Sequence, residues 1–150
     1  MAMLNVILML PFSGQNVGAC LRDGTGQFKK VFSTWCSFFM AAGEGEAWGL
    51  LQTLKWFMSM DLDCVIIEMD CKRVVDDLHN SKLDRSEYGL TISQCRTLLS
   101  LKKQLQSCVT RQQANGSAHA LAQSSINYAI HKTFTSIPYC IWNIIMNEMC

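Results

Sequence analysis

Asp70 stands where two hydrophobic patterns meet, and its position is the first in the chain that points to chemistry. The apolar run Val65–Ile67 before it is typical of a buried strand. After it, Val74, Val75 and Leu78 have helical spacing. In open α/β sheets, ligands bind where strands end and helices begin. A carboxylate held there can contact a ligand, but Asp is also a common helix N-cap, and this stretch alone leaves both interpretations open.

Three antiparallel strands are predicted before this stretch, over residues 3–10, 17–22 and 27–38. Asp23-Gly24-Thr25-Gly26, between the second and third strands, is a strong hairpin signal because Asp-Gly turns tolerate positive φ. A helix is expected next, since Ala47 and the apolar residues after it recur on one face.

Helices and two further strands are predicted to alternate through the rest of the chain. This order favours an α/β fold with one mixed five-stranded sheet, three antiparallel strands followed by two parallel ones, and helices on both faces. The tail after residue 131 has no clear pattern. The predicted elements are helices over residues 44–60, 71–80, 88–100 and 117–131, and strands over 65–69 and 104–110.

The composition is that of one globular domain: the chain has 150 residues, 49% hydrophobic and 17% charged. A net charge of +1 excludes a globally basic surface, so any nucleic-acid binding requires a local patch. No apolar run reaches the roughly 18 residues of a membrane span, and no membrane partner is expected. The apolar start lacks the basic region and cleavage site of a signal peptide.

The eight cysteines show no CxxC spacing, which argues against a zinc ribbon or a thioredoxin-like site. Several of them, including Cys64 and Cys108, lie in apolar runs, as small buried hydrophobic residues do. We therefore expect reduced thiols in an intracellular protein, nuclear or cytoplasmic, that is not secreted.

Four motifs follow one another along the chain: Val17 to Gly26 (VGACLRDGTG), Gly45 to Leu51 (GEAWGLL), Ile67 to Cys71 (IEMDC) and Arg111 to Ala122 (RQQANGSAHALA). In this order they resemble the "RDxxG" turn, "AExxAL" helix start, "VESDS" strand end and "REANxxAHxLA" segment of the type-1 ribonuclease H domains of plant non-LTR retrotransposons. Each motif alone is weak, whereas four at compatible spacing are fairly specific. The resemblance implies a ribonuclease H-like domain over residues 1–131, followed by a tail over 132–150.

The resemblance also implies a reaction, cleavage of the RNA strand of an RNA–DNA hybrid. In the family, two Mg²⁺ ions held by carboxylates activate a water and stabilise the leaving oxygen, and Mn²⁺ is a possible substitute. By position in the motifs, Glu46 and Asp70 are the expected metal ligands. The expected catalytic residues are Glu46, Asp70 and His119.

Two positions depart from the active pattern. The family's first strand reads like "LNVDA", with the Asp bridging both metals, whereas here Leu4-Asn5-Val6 is followed by Ile7. His119 replaces the fourth carboxylate, and imidazole is a poorer ligand for Mg²⁺. Because the loss of one member of a catalytic unit can cost nearly as much as the loss of all, we predict weak or absent cleavage. One alternative is that residues 1–10 are not the native first strand. Others are that the chain is a non-catalytic nucleic-acid or protein interaction module derived from a retroelement, or a degenerate transposon fragment with no selected function.

The partner implied by the resemblance is an RNA–DNA hybrid, which proteins read through its shape, its 2′-hydroxyls and its phosphates. Scattered Lys and Arg are common on any surface, so each candidate contact also has a purely solvated interpretation. Asn115 either touches a phosphate or caps the last helix. The candidate phosphate contacts are Lys72, Arg111 and Asn115, with Arg73, Lys102 and Lys103 as further candidates.

Overall fold

The computed structural model describes residues 4–9, 16–60, 62, 64–69, 71–102, 109–111 and 132–136, the backbone alone for 4–9, 109–111 and 132. Predicted elements within these ranges are present, with ends within a few residues of the expected positions. The helix predicted over 117–131 and the strand residues 104–108 lie outside them. The elements are β1 Leu4–Met9, β2 Asn16–Asp23, β3 Phe28–Trp35, α1 Ala42–Met58, β4 Val65–Met69, α2 Lys72–His79, α3 Glu87–Leu101, β5 Val109–Arg111 and β6 Lys132–Phe134.

The strands form one mixed sheet in the order β5-β4-β1-β2-β3-β6. β1 pairs antiparallel with β2 and parallel with β4, and β4 pairs parallel with β5. The mixed α/β class is confirmed, but the predicted number of five strands is wrong. Lys132–Phe134, in the tail that showed no pattern, pairs antiparallel with β3 and adds a sixth strand at the edge. A three-residue strand is too short to show a periodicity, so only the pairing reveals it.

One face of the sheet carries the hydrophobic core. Burial alternates along β4, where Val65, Ile67 and Met69 are buried while Ile66 and Glu68 are only partly buried. The run was expected to be buried on both faces, and the partly exposed residues on the second face correct that expectation. The core joins these residues to β2, β3 and the three helices. Each large apolar side chain buried in this way contributes about 1.5–3 kcal/mol.

The central helix α1 contributes more residues to this core than any other described element. Leu50, Leu54 and Phe57 are almost fully buried, and Trp56 stacks on Phe32 of β3 with ring centroids 5.0 Å apart. The predicted apolar stripe of α1 is therefore confirmed. No helix in the described ranges is both long and apolar enough to cross a membrane.

The hairpin between β2 and β3 forms at the predicted turn. The Asp23 carboxylate accepts hydrogen bonds from Thr25 N at 3.0 Å, Thr25 Oγ1 at 2.6 Å and Gln27 N at 3.0 Å. Lys29 Nζ lies 3.0 Å from its other oxygen, and Gly26 has a φ of 85°. The Thr25 hydroxyl and Lys29 together hold the pKa of Asp23 well below its usual range. The contacts of the Asp23 carboxylate thus stabilise the turn. Asp23 lies at the end of the sheet where β4 begins.

The five described cysteines, Cys20, Cys36, Cys64, Cys71 and Cys95, are free thiols, as predicted. Cys95 is fully buried between α3 and α1, with its Sγ 3.8 Å from the Ala47 carbonyl oxygen. Burial raises the pKa of Cys95 to about 12. An unfolded thiol ionises near pH 9, so the unfolded state binds fewer protons than the folded state between these values.

Stability is therefore expected to fall as pH rises above about 9, by about 1 kcal/mol at pH 10 from Cys95 alone. Urea unfolding at about pH 8 and pH 10 should show this loss in the wild type. Cys95→Ala should be less stable than the wild type at about pH 8. Its free energy of unfolding should, however, fall by about 1 kcal/mol less than that of the wild type between about pH 8 and pH 10. Ile92→Ala, which truncates a buried side chain of the same helix without removing a thiol, is the matched control and should keep the wild-type loss. An equal loss in the Cys95→Ala variant would contradict the assignment.

Candidate functional site

The predicted strand-to-helix junction is present. β4 ends at Met69 and α2 begins at Lys72. The N-cap of α2 is Cys71, whose side chain makes no capping hydrogen bond. The N-cap position therefore does not belong to Asp70, which precedes Cys71 and lies outside the described residues.

The amino end of α1 approaches this junction. A Cβ atom added to Gly43 would lie 3.2 Å from Nη1 of Arg73 in α2, so the first turns of the two helices are close together. Half-buried Glu46 lies one turn further along α1. Burial raises the pKa of the Cys71 thiol, and the negative charge of Glu46 raises it further, which places Glu46 near Cys71. The amino end of α1, which carries Glu46, thus lies close to the start of α2.

β1 brings Ile7 to the same part of the sheet. The backbone of Ile7 lies opposite Cys20 of β2 on one side and Glu68 of β4 on the other. The position at which the resemblance expects an aspartate is therefore next to the strand that leads into Asp70. That position carries a hydrocarbon side chain in this sequence.

Glu68 is an acidic residue at this site to which the sequence analysis assigned no role. Its side chain is partly buried, and burial raises its pKa while the positive charge of Arg22 opposes that shift. Arg22, itself almost buried, lies in β2 on the far side of β1 from Glu68. The signal that could have found Glu68 is the period of two in strands, since an acid two residues before Asp70 in the sequence is expected on the same face of a strand.

α2 is held against α3 by a polar network. Arg96 of α3 donates hydrogen bonds to the carbonyl oxygens of Asp77, Leu78 and Asn80 at the end of α2. The Tyr88 hydroxyl donates to Asp77 Oδ2 at 2.6 Å, and the Arg73 guanidinium lies 4.3 Å from the Tyr88 ring centroid. These contacts fix α2, and with it the start of the helix beside the junction.

The positively charged candidates for phosphate contacts differ in how strongly their side chains interact with other groups of the protein. Lys72 is exposed, and its Nζ lies 3.8 Å from Asp76, a weak pair at the surface. Arg73 takes part in the Tyr88 network, and Lys102 donates from Nζ to the Met60 carbonyl at 3.1 Å. Lys72 is therefore the described candidate most available to a ligand.

The remaining candidates can be placed only in part. The backbone of Arg111 ends β5 and lies opposite Met69, the last residue of β4. Lys103, Asn115 and His119 lie outside the described residues.

The described residues do not by themselves form a two-metal site; Asp70 and His119 lie outside them. Among the described residues, no group of three or more His, Cys, Asp or Glu side chains could hold a metal ion. A carboxylate such as Glu46 suits Mg²⁺, which prefers oxygen ligands. Ile7, next to Glu68, supplies no oxygen at the position that would bridge two ions.

Three comparisons place the chain among known proteins. The family described as "Reverse transcriptase-like" matches residues 13–125. No relative among functionally curated proteins matches the chain. Similar solved structures include ribonuclease H1 from the halophilic archaeon Halobacterium salinarum, with a TM-score of 0.69 and 16% identity over 85% of this chain and 98% of that one.

Two further structures show the same likeness. The N-terminal ribonuclease H domain of a Mycobacterium tuberculosis protein, solved as a fusion with maltose-binding protein, has a TM-score of 0.69 and 15% identity, covering 86% of this chain and 96% of that one. The LC11 ribonuclease H1, solved in complex with an RNA/DNA hybrid, has a TM-score of 0.68 and 12% identity, covering 86% and 99%. At identities this low, the structural similarity shows the ribonuclease H-like fold and nothing finer.

Proposed function

Since the chain belongs to the reverse transcriptase-like family, we propose that it binds RNA–DNA hybrids through a ribonuclease H-like domain and cleaves them weakly or not at all. The observation that carries this proposal is the pairing of Ile7 with Glu68, because the bridging carboxylate is missing where two strands of the site meet. A neighbour of the same fold was solved in complex with an RNA/DNA hybrid, which supports the choice of ligand.

In this proposal Glu46 and Asp70 are the carboxylates that hold a divalent cation, Mg²⁺ or Mn²⁺, with His119 as the third residue of the site. The closeness of the amino end of α1, which carries Glu46, to the start of α2 supports this assignment. A bound cation would supply Lewis acidity toward a phosphodiester oxygen. Residue 7 carries a hydrocarbon side chain in place of the expected carboxylate. In this proposal the remaining site residues therefore bind and orient the hybrid but do not cleave it.

Phosphate contacts are assigned to Lys72, Arg111 and Asn115. Lys72 opens α2 directly after the junction and is exposed. Arg111 ends the strand that pairs with the last residues of β4. Both therefore flank the place where β4 ends, so a strand of the hybrid crossing that end of the sheet would meet positive charge.

The finer assignments rest on the four sequence motifs. We propose an origin in plant non-LTR retrotransposons, a nuclear or cytoplasmic location, and a domain boundary near residue 131. The strand Lys132–Phe134 extends the sheet just beyond that boundary.

The binding half of the proposal is tested with a fluorescently labelled RNA–DNA hybrid over a series of salt concentrations. We expect binding at low salt that weakens as salt rises, because phosphate contacts release counterions. Lys72→Ala should weaken binding several-fold and reduce the log–log salt slope by about 1. Lys29→Ala is the matched control, since Lys29 lies at the opposite end of the sheet. No binding at low salt would overturn the proposal.

The catalytic half is tested on the same hybrid in Mg²⁺ and in Mn²⁺. We expect little or no cleavage by the wild type, and Asp70→Asn should leave that background unchanged. Robust cleavage by the wild type that Asp70→Asn abolishes would show that the chain is an active nuclease.

A further inference from the structure

A groove of about 310 Å³ lies between the amino-terminal parts of α1 and α3. Its apolar lining includes Met40, Trp48 and Leu90, and Leu90 is 54% exposed. Phe38 and Phe39, directly before Met40, are 76% and 88% exposed. Exposed apolar side chains in a groove and in the segment that leads into it are typical of an interaction surface.

The groove is acidic as well as apolar. Glu44 and Glu87 line it, and no lysine or arginine does so among the described residues. Glu44 accepts a hydrogen bond from Ala41 N at 3.2 Å, and Glu87 forms no ion pair within the described ranges. Such a groove repels phosphate groups, and it suits an apolar side chain flanked by positive charges. Glu44 is also about 200° around α1 from Glu46, so the groove is separate from the candidate metal site.

The segment between α2 and α3 offers that complementary chemistry. Leu83 is 85% exposed and is flanked by Lys82 and Arg85. Both cations are exposed, and neither forms an ion pair in the part of the chain that the structure describes. The segment thus presents an apolar side chain between two positive charges.

Asp84, the one acid in this segment, is turned toward α3. Its Oδ1 accepts a hydrogen bond from Ser86 N at 2.8 Å, and a Cβ atom added to Gly89 would lie 2.5 Å from its Cγ. The close packing of Asp84 on α3 fixes the segment and leaves Leu83 facing solvent.

We propose that the groove of one copy binds the Lys82–Arg85 segment of a second copy of this chain. Both surfaces adjoin the start of α3, because the segment leads into its N-cap Ser86 and Glu87 lines the groove. Adjacent complementary surfaces can meet twice across a twofold axis, which gives a closed dimer. Arg85 of each copy then faces Glu87 of the other, with Leu83 in the apolar part of the groove.

Sedimentation velocity of the full chain over a range of concentrations tests this interface through a charge exchange. The wild type should form a dimer whose fraction rises with concentration and falls at high salt. Glu87→Lys and Arg85→Glu should each remain monomeric, since like charges then face each other. An equimolar mixture of the two variants, and the double variant, should dimerise again because every pair is then of opposite sign.

The apolar contact has its own matched pair of variants. Leu83→Ser should abolish the dimer, whereas Leu101→Ser, which removes an exposed leucine at the other end of α3, should leave it unchanged. Circular dichroism melting establishes that each variant is folded. A wild type that is monomeric at every concentration overturns the proposal. In that case the partner that binds the groove is a different protein and not a second copy of this chain. A dimer whose fraction is unchanged in the Glu87→Lys, Arg85→Glu and Leu83→Ser variants also overturns the proposal.

Discussion

Ile7→Asp is expected to raise divalent-metal-dependent cleavage of an RNA–DNA hybrid by at least about a hundredfold over the wild type. The backbone register places residue 7 beside Glu68, two residues before Asp70, so the new carboxylate enters the part of the sheet that Glu46 approaches. Clustered carboxylates repel one another until a cation binds. The variant should therefore melt below the wild type without metal, and Mg²⁺ should raise its melting temperature.

Two controls separate chemistry from folding in this experiment. Ile7→Asn introduces a polar side chain of similar size to Asp without charge, and it should show neither cleavage nor the Mg²⁺-dependent shift. Ile7→Asp combined with Asp70→Asn should lose the gain, because both carboxylates belong to one unit. A folded Ile7→Asp variant that neither responds to Mg²⁺ nor cleaves would contradict the view that residue 7 alone removed activity. In that case His119→Asp, added to Ile7→Asp, is the next variant to measure.

Arg96→Ala is expected to lower the free energy of unfolding by about 3 kcal/mol. The guanidinium donates to carbonyl oxygens of Asp77, Leu78 and Asn80 at the end of α2, where the Asp77 oxygen also accepts from Asn80 N at 3.3 Å. Its removal leaves the partly buried Asp77 and Leu78 oxygens and the exposed Asn80 oxygen without the charged donor. Hydrogen bonds to a charged group are worth roughly 1.5–3 kcal/mol each, and they are not additive when they share one donor.

Urea unfolding at neutral pH measures this loss. Arg96→Lys should recover only part of the stability, because an ammonium group cannot reproduce the planar fork that serves several carbonyls. Lys72→Ala, on an exposed and weakly paired side chain of α2, should stay within about 0.5 kcal/mol of the wild type. An Arg96→Ala variant as stable as Lys72→Ala would mean that Arg96 does not hold α2 in place.

The parts of the fold and of the site that the sequence predicts correctly depend on local interactions. The hairpin at Asp23 forms because the Asp side chain and Gly26 determine the turn within a few residues. The junction before α2 follows from a change of hydrophobic period between β4 and the helix. Four motifs in order were enough to recognise the ribonuclease H-like fold, which the solved structures of that fold confirm.

The parts that the sequence could not predict depend on contacts between distant residues. Arg96 caps a helix 16 to 19 residues earlier in the chain, and no periodic pattern reports such a contact. The N-cap of α2 is Cys71 and not Asp70, although Asp is the residue type that capping preferences favour. The position of the N-cap follows from where the helical backbone begins. The sixth strand exists only because β3 offers an unpaired edge to Lys132–Phe134.

The amino-acid sequence alone determined the order of the elements, the turn at Asp23 and the replacement of the expected aspartate by Ile7, because each is a property of neighbouring residues. The tertiary structure decided that Ile7 lies beside Glu68, that the amino end of α1, which carries Glu46, lies close to the start of α2, and that Glu68 is a further acid in β4. Strand register and helix packing are set by the burial of a shared core, which couples residues far apart in the chain.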